Sequence, residues 1–83
     1  MNTQINHPDY YRAGNYECSD YIEAFNLNFN LGNVIKYVTR AGRKTEDAVP
    51  DLQKARVYLD REIVRRTSLE KATDLLVAPE ITE

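Results

Sequence analysis

The sequence has a single cysteine and a single histidine among its 83 residues. A lone Cys18 cannot form a disulfide within the chain, and one Cys with one His is a poor ligand set for a metal. Neither a metal nor a cofactor is expected. No apolar run reaches the length of a membrane span, and the polar N-terminus lacks the apolar stretch of a secretory signal. With an unpaired thiol, these absences point to a reducing cytoplasm and to no membrane partner. Positive charge is not in excess either: Lys and Arg total 11 against 13 Asp and Glu, a formal net charge of -2. The basic footprint usual for duplex DNA is missing, so nucleic acid is not the expected partner. A glycine-rich phosphate loop, a metalloprotease helix and a nucleophile elbow are absent as well. There is no internal repeat and no low-complexity tract.

What is present fits one small helical domain over residues 1–83. A chain of this size buries only about 60% of its unfolded surface, so its core has little stability to spare. With disulfides and metals set aside, self-association is the remaining device, and a homo-oligomer is expected.

The expected class is all-α, with three to four helices and an extended N-terminal arm. The arm covers residues 1–17, where His7-Pro8 and Gly14-Asn15 are turn signals and no period is sustained. The helical core covers 18–66. Ser19 is placed to cap a first helix that carries Tyr21, Ile22 and Phe25 and ends near Asn26. Asn30 can cap a second, in which Leu31, Val34, Ile35, Val38 and Ala41 recur on one face. Gly42 suits the left-handed residue that closes this helix, with Arg40, Arg43 and Lys44 at the negative end of its dipole. A third helix begins at Asp47 or Val49, tolerates Pro50 in its first turn, and carries Leu52, Ala55, Leu59 and Ile63 to about Arg66. Residues 67–83 are expected to form a short fourth helix, capped by Ser68 and stopped by Pro79, and an acidic tail.

Chemistry concentrates in two places. Lys36 and Arg40 are four residues apart and share a side of the second helix, with Arg43 and Lys44 a turn further on and Tyr37 beside them. Four such cations can hold phosphate groups, Arg through forked hydrogen bonds and Lys as a compact charge. The competing reading is a solvated basic face with ordinary dipole pairing. In the arm, Tyr10 and Tyr11 are adjacent, so one ring can anchor while the other offers a stacking face; both rings pinning the arm is the rival reading. His7 could act as a general base, but no partner carboxylate can be assigned to it, and a turn or surface role is the commoner one. Scattered acids, among them Glu17, Asp20, Glu23, Asp47 and Asp51, show no diagnostic metal spacing. No catalytic residue is assigned.

Four ordered blocks then carry a resemblance: His7-Pro8-Asp9-Tyr10-Tyr11, Asn30 to Tyr37, Arg40-Ala41-Gly42-Arg43-Lys44, and Asp51 to Ala55 followed by Tyr58-Leu59. Over roughly His7 to Ile63 the chain resembles the short bacteriophage proteins called SaV-like. A related segment occurs in a T-odd coliphage protein described as a nucleoside monophosphate kinase without a Walker loop. The resemblance implies a phage origin, the host cytoplasm, oligomerisation and a nucleotide ligand, and it adds weight to the phosphate reading of the four cations.

The leading expectation is therefore capture of a nucleotide or cyclic nucleotide, sequestering a host antiviral messenger. Lys36, Arg40, Arg43 and Lys44 would meet phosphate, His7 would also bind the ligand, Tyr10, Tyr11 and Tyr37 would stack, and Asn33 would orient it. Two alternatives stay open, a nucleoside monophosphate kinase-like phosphotransferase and a module that binds a host protein or nucleic acid.

Overall fold

The computed structural model describes residues 8–77. His7 lies outside them, as do Pro79 and the acidic tail. The described part of the arm is folded back on itself. A 3-10 turn, Asp9–Tyr11, leads into an antiparallel ribbon of β1 (Arg12–Ala13) and β2 (Tyr16–Glu17). Arg12 pairs with Glu17 and Ala13 with Tyr16, which leaves Gly14-Asn15 as the loop. Gly14 takes φ 60°, a left-handed value that glycine adopts without a Cβ clash. The turn signal was legible, whereas strand pairing over two residues is too short to leave a period.

Helix α1 (Cys18–Ala24) starts one residue before the expected Ser19 cap. Asp20 Oδ2 accepts the Glu17 backbone N–H at 3.0 Å, so an acid in the first turn secures the start. The helix closes through Asn26 at φ 53°, a left-handed position that Asn tolerates. Leu27 N–H then bonds the Ile22 carbonyl and Asn26 N–H the Glu23 carbonyl, each at 3.0 Å, which satisfies the orphaned C-terminal groups. Helix α2 (Phe29–Arg40) is capped by Asn28, whose side chain accepts Leu31 N–H at 2.9 Å. The cap thus falls two residues before Asn30, and Asn30 is left to face α3. Gly42 at φ 77° ends this run as expected, and the Arg43 and Lys44 N–H groups return to the Arg40 carbonyl at 2.8 and 3.0 Å.

Helix α3 (Val49–Val77) begins at an Asp47 cap, whose Oδ1 accepts Val49 N–H at 3.0 Å. It runs straight through Ser68, so one helix replaces the expected third and fourth. Serine inside a helix costs only about 0.5 kcal/mol relative to alanine, and no Gly or Pro follows Pro50 within the helix to enforce a break. The fold is thus mostly helical, with three α-helices and one small ribbon among the described residues. None of these helices is long and apolar enough to cross a membrane.

Helices α2 and α3 lie antiparallel, since Phe29 meets Tyr58 while Arg40 meets Asp51. Gly32 lets α1 approach α2 closely: a Cβ there would stand 3.3 Å from Ile22 Cγ2. The seam between α2 and α3 is unusually polar. Among the described residues Ala55 is the buried hydrophobic one, beside buried Asn30, Arg40, Asp51 and Glu62. Glu62 is held by four donors: Arg65 at 2.8 and 3.0 Å, Arg66 at 2.6 Å, Asn28 at 2.9 Å and Asn30 at 3.1 Å. Asn30 Oδ1 is buried with no hydrogen-bond partner.

The hydrogen bonds to Glu62, those from Arg65 foremost, hold its carboxyl far below its ordinary value of 4.5. A carboxyl depressed in the folded state adds stability that is present above its unfolded pKa and lost as pH falls below it. The unfolding midpoint should hold steady from neutrality to about pH 5 and then fall, with Glu62→Gln flattening the acid limb. Thermal scans of both proteins across that range are the check. Equal acid slopes would remove this cluster as the cause.

Candidate functional site

Helical spacing places Phe29, Asn33, Lys36 and Arg40 on one stripe of α2, at i, i+4, i+7 and i+11. Two different surfaces meet along it.

On the α3 side is an aromatic row. The Tyr37 and Tyr58 rings stack with centroids 5.9 Å apart and planes 11° from parallel. Phe29 meets Tyr58 edge-on at 5.8 Å. Cations surround the row. Lys36 Nζ and Lys54 Nζ stand 5.2 and 5.4 Å from the Tyr37 centroid, and the Arg61 guanidinium is 5.5 Å from that of Tyr58. Beneath them Arg40 lies 4.7 Å from Tyr37 and is almost fully buried.

Every nitrogen of the Arg40 guanidinium is engaged. Nε and Nη2 each reach Asp51 Oδ1 at 3.0 Å, and Nη1 donates to Tyr11 Oη at 3.0 Å. Burial alone would lower its pKa; the hydrogen bonds to Tyr11 and Asp51 more than offset this, and the net shift is upward. Arg40 therefore joins the arm, α2 and α3 at one point.

On the α1 side of the stripe is a mostly apolar cleft of about 500 Å³. Pro8 and Tyr11 of the arm, Ile22 of α1, Leu27 of the loop, and Phe29 and Gly32 of α2 line it, with Asn33, Lys36 and Glu17 as polar members. That volume falls within the ~300–1,000 Å³ usual for small-molecule sites. Phe29 and Lys36 belong both to this cleft and to the aromatic row, so the two surfaces are continuous.

Of the residues chosen from sequence, Tyr11, Asn33 and Lys36 line the cleft, Tyr37 lies in the aromatic row, and Arg40 sits under it. Arg43 does something else: its Nη2 donates to the carbonyls of Asp9 and Arg12, at 2.9 and 2.8 Å, and fastens the arm. Tyr10 packs edge-on against Tyr11 at 4.6 Å, and Lys44 is 6.0 Å from the Tyr10 ring, at the limit of a cation–π contact. His7 lies outside the described residues. The sequence reading missed Lys54, Tyr58 and Arg61. Their i, i+4, i+7 spacing on α3 repeats the aromatic-and-cation composition of α2 and was the available signal.

Comparison with known proteins gives one family. The family described as a protein of unknown function, DUF3310, matches residues 5–60, and the chain belongs to it. No curated protein and no solved structure matches the chain. The matched span contains Tyr11, Lys36, Tyr37, Arg40, Asp51, Lys54 and Tyr58.

Proposed function

We propose that this chain, as a member of that family, binds a nucleotide along the α2 stripe and holds it without turning it over. One observation carries the reading: Lys36 and Phe29 join an apolar cleft of base-sized dimensions to a stacked tyrosine pair ringed by cations. A nucleobase has two apolar faces and polar edges, which suits a cleft lined by Tyr11 and Phe29 with polar groups among its lining. Asn33 Nδ2 is spent on the Phe29 carbonyl at 2.9 Å, which leaves the amide oxygen to accept from a base or ribose. Lys36 and Lys54, both beside the Tyr37 ring, supply compact charges for phosphate. Arg40, with each of its three nitrogens engaged, sets the position of Tyr11 and Tyr37.

The disposition of the acids favours capture over phosphoryl transfer. Asp51 and Glu62, the buried carboxylates, are each locked to arginine, and Glu17 in the cleft has Arg12 Nη1 at 3.8 Å, so none stands ready to take a proton. In this reading the protein works as a homo-oligomer in a phage-infected cytoplasm and withdraws a nucleotide messenger of host defence.

Incubation with a nucleotide panel tests this. The panel includes cyclic dinucleotides and ADP-ribose, with and without ATP and Mg²⁺; the filtrate and the material released by denaturation are then chromatographed. A nucleotide depleted from the filtrate and recovered unchanged is the expected result. A new phosphorylated product would replace capture with phosphoryl transfer, and no depletion of any kind would withdraw the nucleotide.

A further inference from the structure

The contacts of Phe29 with Tyr58 and of Arg40 with Asp51 mark one edge of the α2–α3 pair. Helical spacing puts a different set on the opposite edge. Leu31, Val34 and Val38 recur at i, i+3 and i+7 on α2, and Leu52, Leu59 and Ile63 at i, i+7 and i+11 on α3. Val38, Leu52, Leu59 and Ile63 are 51, 47, 44 and 55% exposed, so about half of each remains in water. The contacts that place the arm and α1 lie on the Gly32 side of α2, at Gly32, Ile35 and Thr39. The result, among the described residues, is a two-helix apolar face left partly open.

Three quantities show that the chain is more open than a compact monomer of its size. The chain's accessible surface is 6315 Å². A folded monomer of 9.6 kDa exposes about 5,100 Å². The excess, on the order of 1,200 Å² over the whole chain, leaves room for the ~800 Å² per partner of a standard interface. The radius of gyration is 18.0 Å, against about 12 Å for a compact chain of this length. The third quantity is the core itself, whose buried hydrophobic member among the described residues is Ala55. A chain so short of core needs its partner whenever it is folded, and the partner always synthesised with it is another copy.

We infer that a second copy of this chain packs its own α2–α3 pair on this edge, and that Leu31, Val34 and Val38 with Leu52, Leu59 and Ile63 form the shared core of a four-helix bundle. Paired helix hairpins with apolar rows at this spacing bury them against each other in such bundles. The Phe29–Lys36–Arg40 stripe lies on the other edge and stays open, so this inference stands or falls separately from the nucleotide reading.

Equilibrium sedimentation of the full chain is the first test, with a mass at a multiple of 9.6 kDa expected. Thermal unfolding at protein concentrations a hundredfold apart is the second. The midpoint should rise on the order of 5–10 °C, because mass action couples folding to assembly. A monomer with a concentration-independent midpoint would overturn the inference. The position of the face is tested by paired variants. Leu59→Glu with Ile63→Glu should lower the association constant at least a hundredfold or abolish helical signal altogether. Val57→Glu with Val64→Glu, on another face of α3, should leave the mass unchanged. The reverse pattern would overturn the assigned surface even if the protein is an oligomer.

Discussion

Asp51→Ala should lower folding stability by about 3 kcal/mol, and by more than Arg40→Ala does. Both partners are buried, with side chains 7 and 10% exposed, so removing either leaves an uncompensated group. The two orphans differ in their surroundings. Asp51 sits in the first turn of α3, where the positive end of the helix still favours a carboxylate after Arg40 is gone. Arg40 occupies the last turn of α2, but losing Asp51 also leaves Nε and Nη2 without an acceptor in a nearly dry seam. Tyr11 keeps its donor in one variant and loses it in the other. Arg40→Ala should therefore loosen the arm, seen as faster amide exchange across β1 and β2. Denaturant titration of both variants checks the order. A double variant, Arg40→Met with Asp51→Leu, should recover most of the loss, because a matched apolar pair carries no desolvation penalty. Equal destabilisation by all three would mean that volume, not charge, governs this seam.

Lys36→Ala combined with Lys54→Ala should weaken nucleotide affinity by about a hundredfold, roughly tenfold for each cation, while the circular dichroism spectrum stays unchanged. Neither lysine is part of an ion pair among the described residues, and each stands near the Tyr37 ring, at 5.2 and 5.4 Å from its centroid. Their loss removes phosphate contacts without unpacking the helices. Lys36→Arg with Lys54→Arg should keep most of the affinity. Titration calorimetry with the nucleotide retained in the filtration experiment gives the comparison. An affinity unchanged in the alanine variant would move the ligand off this stripe.

The sequence carried those parts of the molecule that are written locally. Gly42 marked the end of α2, since a left-handed residue after an apolar row has few other uses, and Gly14 marked a turn for a similar reason. The break at Ser68 was a misreading of a permissive residue as a signal: serine caps helices but also sits inside them at small cost. Asn28 and Asn30 are equally good caps by type; both amides donate to Glu62, 34 and 32 positions away, and only the Asn28 Oδ1 is placed to take the Leu31 N–H. The site shows the same division. Spacing alone put Lys36, Tyr37 and Arg40 together. That Arg40 is consumed by Asp51 and Tyr11, and Arg43 by arm carbonyls 31 and 34 positions distant, depends on tertiary pairing that no window of sequence contains.

The closeness of Arg40 and Asp51 along the chain, only 11 positions apart, bears on how the fold is reached. Closing so short a loop takes about 10–100 ns, so the α2–α3 hairpin can nucleate on its own end before any distant segment has arrived. Zipping from Arg40 and Asp51 toward Asn30 and Glu62 then extends contacts already in register. The arm, whose anchor points on Arg43 lie three times further off in sequence, joins a hairpin that is already formed. Folding order thus runs from the turn outward, and the surface that receives the arm exists before the arm does.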